Sequence, residues 1–266
     1  MKNRPIGIFD SGIGGLTVAK EIIRLLPHES IIYIGDTARV PYGTRSNEII
    51  AKFGIQLTDF LLKRNVKCLV VACNTISAVA LEEIEKISKV PVLGVIKPAV
   101  SEALNTTKNK KIGVIGTYAT INSRAYEKEI KKQNPDVEIC STGCPLFVPL
   151  AEEGFSDHPA AGLVAKDYLG SVKSSGADTL ILGCTHYPIL SGIVKKIMGP
   201  EVSLIDSAGP TAKQLQELLK ARNLLADNRD PSYEFFVTDA PKRVLQVAGR
   251  FFGDTINGRL KKVSLD

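Results

Sequence analysis

The chain has 266 residues, 44% hydrophobic and 23% charged, an ordinary globular composition able to bury a real core without staples. Its net charge of +6 is spread over small clusters (Lys108 to Lys111, Lys131-Lys132, Lys195-Lys196, Lys261-Lys262) with no Trp and 6% aromatics, which argues against nucleic-acid binding through a basic stripe interleaved with aromatics. No apolar run approaches the roughly 20 residues of a membrane span, and no signal core precedes Ile6-Gly7-Ile8-Phe9, so the expectation is a cytoplasmic protein that neither meets a membrane nor is secreted.

Strands are predicted at 6–9, 31–35, 67–72, 91–95, 111–115, 137–141, 178–183, 202–205 and 233–237. Helical patterns lie between them near 15–26, 46–64, 76–88, 98–105, 121–132, 159–174, 189–198, 210–222 and 241–252. Pro27 stops the first helix, Ser46 is placed to cap the second, and Asp157 followed by Pro159 opens the one after 155. This alternation reads as an α/β fold with largely parallel sheets.

An internal repeat runs through the pattern. Ile6-Gly7-Ile8-Phe9-Asp10-Ser11 resembles Ile112-Gly113-Val114-Ile115-Gly116-Thr117, and Leu69-Val70-Val71-Ala72-Cys73 resembles Leu180-Ile181-Leu182-Gly183-Cys184. Pro91-Val92-Leu93-Gly94-Val95 likewise matches Glu201-Val202-Ser203-Leu204-Ile205. The offsets are similar and in the same order, which implies two related α/β domains. The expected division is 1–97 plus 208–266 for the first domain and 98–207 for the second, with the active site in the cleft between them.

In open parallel sheets, ligands bind beyond the carboxyl ends of the strands. Those positions here carry Asp10-Ser11-Gly12, Asp36-Thr37, Cys73-Asn74-Thr75, Thr117 and Cys184-Thr185-His186. Two such edges facing each other would enclose a small polar cavity.

Five cysteines, an odd number, suit free thiols better than a disulfide framework. Cys68 and Cys140 read as core residues, and Cys144, in a Gly-Cys-Pro turn, could line a cavity without reacting. Cys73 and Cys184 stand where a strand gives way to a helix, whose N-terminus lowers a thiol pKa. Metal binding is the sharpest competing use of these thiols, but the zinc-type spacings C-x-x-C and H-x-x-x-H do not occur. Asp10-Ser11-Gly12-Ile13-Gly14-Gly15 is not a nucleotide loop, because Thr17 occupies the third glycine position. It reads as a glycine-rich turn with a ligand contact. His28 and His158 are expected in solvent. Glu152 and Glu153 follow Val148-Pro149-Leu150-Ala151 in what reads as a loop, a stretch resembling Val40-Pro41-Tyr42-Gly43. A carboxylate there could tune a nearby thiol or imidazole.

Five ordered blocks resemble glutamate racemases of the aspartate/glutamate racemase superfamily. They are Gly7-Ile8-Phe9-Asp10-Ser11-Gly12-Ile13-Gly14-Gly15, Asp36-Thr37-Ala38-Arg39-Val40-Pro41-Tyr42-Gly43, Val71-Ala72-Cys73-Asn74-Thr75, Val148-Pro149-Leu150-Ala151-Glu152 and Leu182-Gly183-Cys184-Thr185-His186-Tyr187-Pro188. The aspartate enzymes tend to carry Glu after Cys-Thr, so His186 favours glutamate. The resemblance implies a cofactor-independent racemase with Cys73 and Cys184 as its acid/base pair, Asp10 assisting Cys73 and His186 assisting Cys184. It carries over Glu152 as a supporting carboxylate and Asp36 as a weaker one. Substrate contacts are implied for Asp10-Ser11, Tyr42-Gly43, Asn74-Thr75 and Thr185-His186, with Thr117 and Thr120 as further candidates. The implied role is supplying D-glutamate for peptidoglycan in the cytoplasm, and a homodimer stands as an open expectation.

The chemistry agrees with the resemblance. Inverting an α-carbon needs a base on one face and an acid on the other, each within hydrogen-bond reach. Two rivals remain. A pyridoxal enzyme would need a Schiff-base lysine, for which only Lys97 is suggestive, together with a phosphate cup that is not seen. A two-lobed binding protein would not need paired thiols.

Overall fold

The computed structural model describes residues 1–239, 242–252 and 260–265. Two parallel sheets, each flanked by helices, carry the fold. The first contains β1 (Ile6–Asp10), β2 (Ile31–Gly35), β3 (Cys68–Val71) and β4 (Val92–Gly94), in the order β2-β1-β3-β4. The second contains β5 (Lys111–Gly116), β6 (Glu138–Gly143), β7 (Thr179–Gly183) and β8 (Ser203–Ile205), in the order β6-β5-β7-β8. The two orders are the same, so the sequence repeat is also a repeat of topology. β9 (Tyr233–Val237) pairs with β2, and β10 (Leu260–Lys262) pairs with β9, extending the first sheet to six strands.

The helices are α1 (Leu16–Leu25), α2 (Asn47–Leu62), α3 (Asn74–Val79), α4 (Leu81–Ile87), α5 (Ile96–Thr106), α6 (Tyr118–Asn122), α7 (Ala125–Gln133), α8 (Phe147–Glu152), α9 (Pro159–Ser174), α10 (Ser191–Met198), α11 (Ala208–Ala221) and α12 (Lys242–Phe252). Both faces of each sheet are covered, so the strands read as continuous apolar runs. Alternate residues feed separate cores. Ile6, Ile8, Tyr33 and Val70 face α1 and α11, while Phe9, Ile34, Leu69 and Val71 face α2 and α3. In the second sheet Leu180 and Leu182 point one way and Val114 and Ile181 the other.

In a sheet ordered 2-1-3-4 the connections leave strand 1 in opposite directions, which opens a crevice beyond the ends of strands 1 and 3. β1 is followed there by Asp10-Ser11 and β3 by Cys73; β5 is followed by Thr117 and β7 by Cys184. Topology therefore delivers each thiol to the switch point of its own sheet.

Several local expectations are corrected. The 76–88 pattern is two helices, α3 and α4, and the 121–132 pattern is α6 and α7, broken at Arg124 in the left-handed region. The stretch around Glu152 is not a loop but ends α8. Ser46 occupies the N-cap position without a side-chain cap bond. The helix after 155 is capped by His158, whose Nδ1 accepts from Ala160 N at 3.2 Å, rather than by Asp157. Cys140 is half-buried within edge strand β6 instead of ending a core strand. β10 was missed because three residues carry too little periodicity. Of the 208–266 segment, residues 240–241, 253–259 and 266 lie outside the described residues.

Candidate active site

A cavity of about 400 Å³ opens between the two sheet edges. Its lining includes Ser11, Tyr42, Gly43, Cys73, Asn74 and Thr75 from the first half, and Thr117, Glu152, Cys184, Thr185 and His186 from the second. Both thiols border it, and both are buried. Asp10, Asp36 and Thr120 sit behind this lining, fully or almost fully buried. Cys144 is buried away from the cavity, and burial pushes its thiol up to about 12.

The surroundings of the two thiols differ. Cys73 occupies the N-cap of α3, where its Sγ accepts from Ile76 N at 3.5 Å and donates to Ser11 Oγ at 3.4 Å. The helix terminus was expected to lower this thiol's pKa. Burial instead, joined by the charge of Asp10, pushes it up to about 12, against weaker lowering by those hydrogen bonds. Cys73 is therefore held as a protonated thiol at neutral pH. Asp10 is itself fixed by the loop it begins, its Oδ2 accepting from Gly12 N at 3.2 Å and Gly15 N at 2.9 Å. Its buried Oδ1 has no hydrogen-bond partner among the described residues.

On the other side, His186 Nδ1 lies 3.9 Å from Cys184 Sγ, and His186 Nε2 lies 3.1 Å from Glu152 Oε1. Burial by itself would lower the imidazole pKa. Its hydrogen bonds to Cys184 and Glu152 outweigh burial and lift it to about 10. One thiol thus faces a carboxylate, and the other an imidazolium.

Cross-domain packing holds these parts together. A Cβ on Gly14 would stand 2.4 Å from Thr185 Oγ1 and 2.6 Å from His186 Nδ1, so only glycine lets the turn after β1 lie against the second thiol's neighbours. Gly43 meets Thr117 in the same way, and its carbonyl accepts from Ala119 N at 3.1 Å. Thr75 Oγ1 lies 3.0 Å from Thr117 Oγ1 and 3.3 Å from Thr120 Oγ1. Asp36 scaffolds the wall that carries Tyr42: its carboxylate accepts from the Tyr42 hydroxyl, from Arg39 Nε at 2.5 Å and from Thr238 Oγ1 at 2.7 Å.

Some of the lining was not anticipated. Val40, Pro41, Pro145, Leu146, Val148 and Pro149 make much of the cavity wall apolar. The signal lay in the two Val-Pro steps: 40–43 follows β2 and 148–151 follows β6, equivalent positions with different backbones, a loop in one case and helix α8 in the other. Lys97 is exposed on α5 and borders a separate cleft, which removes the lysine that favoured a pyridoxal enzyme. Among the described residues, no group of three or more His, Cys, Asp or Glu is gathered as a metal site, and no helix is long and apolar enough to cross a membrane.

The family model described as Asp/Glu/Hydantoin racemase matches residues 6–215. The chain is 48% identical over 264 residues to a glutamate racemase from Geobacter metallireducens, an alignment covering 99% of this chain and 97% of that one. Its fold superposes on the crystal structure of glutamate racemase from Francisella tularensis in complex with D-glutamate, with a TM-score of 0.94 and 46% identity, covering 100% of this chain and 99% of that one. A glutamate racemase isoform from Bacillus anthracis gives a TM-score of 0.96 at 42% identity, with coverage of 100% and 99%. With full-length relatives at this identity and two parallel sheets that close on a pair of thiols, the chain belongs to the Asp/Glu racemase family, among its glutamate racemases.

Proposed function

We propose that this chain interconverts L- and D-glutamate without a cofactor, by proton transfer between the substrate α-carbon and two thiols. The observation that carries the reading is the placing of Cys73 and Cys184 on opposite domains around one cavity. In one direction Cys184, beside the His186 imidazolium, acts as a thiolate base and Cys73 delivers a proton from the other face. In the opposite direction the roles reverse.

The carbanion formed next to a carboxylate is very unstable, so the site must stabilise charge as it develops. Asn74, Thr75, Thr117 and Thr185 supply donors around the cavity, while Ser11, Tyr42 and Gly43 complete the substrate contacts on the first domain. The apolar wall at Val148 and Pro149 keeps water away and strengthens those contacts. Asp10 assists Cys73, Glu152 holds His186, and Asp36 acts through Tyr42. Thr120 acts through Thr75 and Thr117.

The working division is 1–97 plus 208–266 and 98–207, which makes catalysis dependent on closure between domains. The biological role that follows is supply of D-glutamate for peptidoglycan in the cytoplasm.

The test is racemisation of L-glutamate against L-aspartate by purified protein without added cofactor, followed by polarimetry or circular dichroism. Loss of optical rotation with glutamate supports the reading. An unchanged signal with glutamate overturns it, and faster turnover of aspartate would reassign the substrate.

A further inference from the structure

The residue after the first thiol is held in an unusual way. Asn74 borders the cavity and is almost fully buried. Its Oδ1 accepts from the Tyr126 hydroxyl at 2.5 Å and from Ser207 Oγ at 3.3 Å. Its Nδ2 is buried with no hydrogen-bond partner among the described residues. The two ends of this amide are therefore treated oppositely: the acceptor end carries two donors, and the donor end has no partner among the described residues.

The two donors come from distant parts of the chain. Tyr126 stands on α7, packed with the second sheet, and is 2% exposed. Ser207 precedes α11, the helix that leads back to the first sheet. Asn74 opens α3 in the first sheet's half. The three meet across the boundary between the two halves. Burial pushes the Tyr126 phenol well up, so it remains a donor at every working pH.

We infer that Tyr126, with Ser207 as its second, is a positioning residue that fixes the orientation of the Asn74 amide and so aims its N–H donor at a carboxylate of the substrate. An amide can turn end for end at little steric cost, and hydrogen bonding alone decides which end faces the ligand. With Oδ1 towards the cavity, Asn74 would repel a carboxylate; with Nδ2 towards it, Asn74 binds one. A donor supplied across the domain boundary makes this binding orientation depend on the contact between the two halves. The assignment rests on the glutamate reading above.

The experiment is a double-mutant cycle on kcat/KM for both enantiomers, using Tyr126→Phe, Asn74→Ala and the double variant. Tyr126→Phe is expected to lower kcat/KM by about tenfold, chiefly through KM, and Asn74→Ala by about tenfold to a hundredfold. The double variant should be no worse than Asn74→Ala, because Tyr126 acts only through that amide. Losses that multiply in the double variant would overturn the proposal, as would wild-type kcat/KM in Tyr126→Phe.

Ser207→Ala provides a second cycle that does not disturb the aromatic packing. A smaller loss, again absent on the Asn74→Ala background, is expected; a loss that persists there counts against the proposal. The Asn74 side-chain NH₂ resonances give a readout independent of turnover and should shift in Tyr126→Phe. If the wild type fails to racemise glutamate while those resonances still shift, the substrate assignment falls and the amide lock stands. If they do not move, the lock itself is wrong.

Discussion

His186 Nε2 lies 3.1 Å from Glu152 Oε1, joining the turn after β7 to the end of α8. Through its other nitrogen the same ring faces Cys184, so the charge on Glu152 reaches the thiol through the imidazole.

Glu152→Gln keeps a hydrogen-bond acceptor but removes that charge, so the His186 pKa should fall from about 10. The expected result is about a tenfold loss of kcat/KM and an alkaline limb of the pH–rate profile moved to lower pH. Stability should follow. A His whose pKa rises on folding from 6.5 to about 10 contributes stability that is fully present below 6.5 and lost as pH rises through 10. Thermal melts from about pH 6 to about pH 11 should show the advantage of wild type over the variant shrinking across that window. A constant difference would show that Glu152 does not set the charge on His186.

Replacing Cys73 or Cys184 with Ser should reduce racemisation by about a thousandfold or more, since a hydroxyl is a far weaker acid than a thiol. In deuterated water each single variant should lose solvent exchange into one enantiomer much more than into the other. Equal loss in both directions would mean that the thiols do not serve separate faces.

Gly14→Ala would drive a methyl group against Thr185 Oγ1 and His186 Nδ1. Those side chains must then shift, and misplacement of about 1 Å near reacting groups can cost about a hundredfold in rate. The rate should fall by that order, with a melting temperature lowered by only a few degrees, about 1 kcal/mol. Racemisation rates compared with thermal melts check this; full activity would show that His186 need not keep its position.

A fourth prediction concerns stability away from the cavity. Lys67 and Glu29 form an ion pair with side chains only 1% and 2% exposed. Lys67 Nζ also donates to Lys2 O at 2.6 Å and Leu224 O at 2.7 Å, and Glu29 Oε1 accepts from Ala226 N at 2.8 Å. Lys67→Met would strand a buried carboxylate and two carbonyls, costing about 3–5 kcal/mol. Urea unfolding should show the loss, and a midpoint equal to that of wild type would contradict it.

Much of the site could be read before any coordinates. β-runs ending in Asp10, Cys73, Thr117 and Cys184 are local patterns, because a fully covered parallel strand must be apolar until it leaves the sheet. Other parts were not legible. Helix α8 was hidden by Pro149, which sits within its first turn, where a missing N–H costs nothing. Tyr126 gave no signal, since an apolar helix position with a hydroxyl looks like any core tyrosine until Asn74 is brought to it from 52 residues away.

By itself, the sequence determined the repeat, the strand ends and the equivalent places of Cys73 and Cys184 just past two of them, because these depend on short-range periodicity and residue chemistry. Only the tertiary structure decided how the thiols differ. Burial and the charge of Asp10 keep Cys73 protonated despite its helix N-terminus. Against the lowering effect of burial, the hydrogen bond to Cys184 and that to Glu152, which arrives from α8 34 residues upstream, keep His186 cationic. Charge and desolvation act through space, so protonation is settled by which groups the fold brings together.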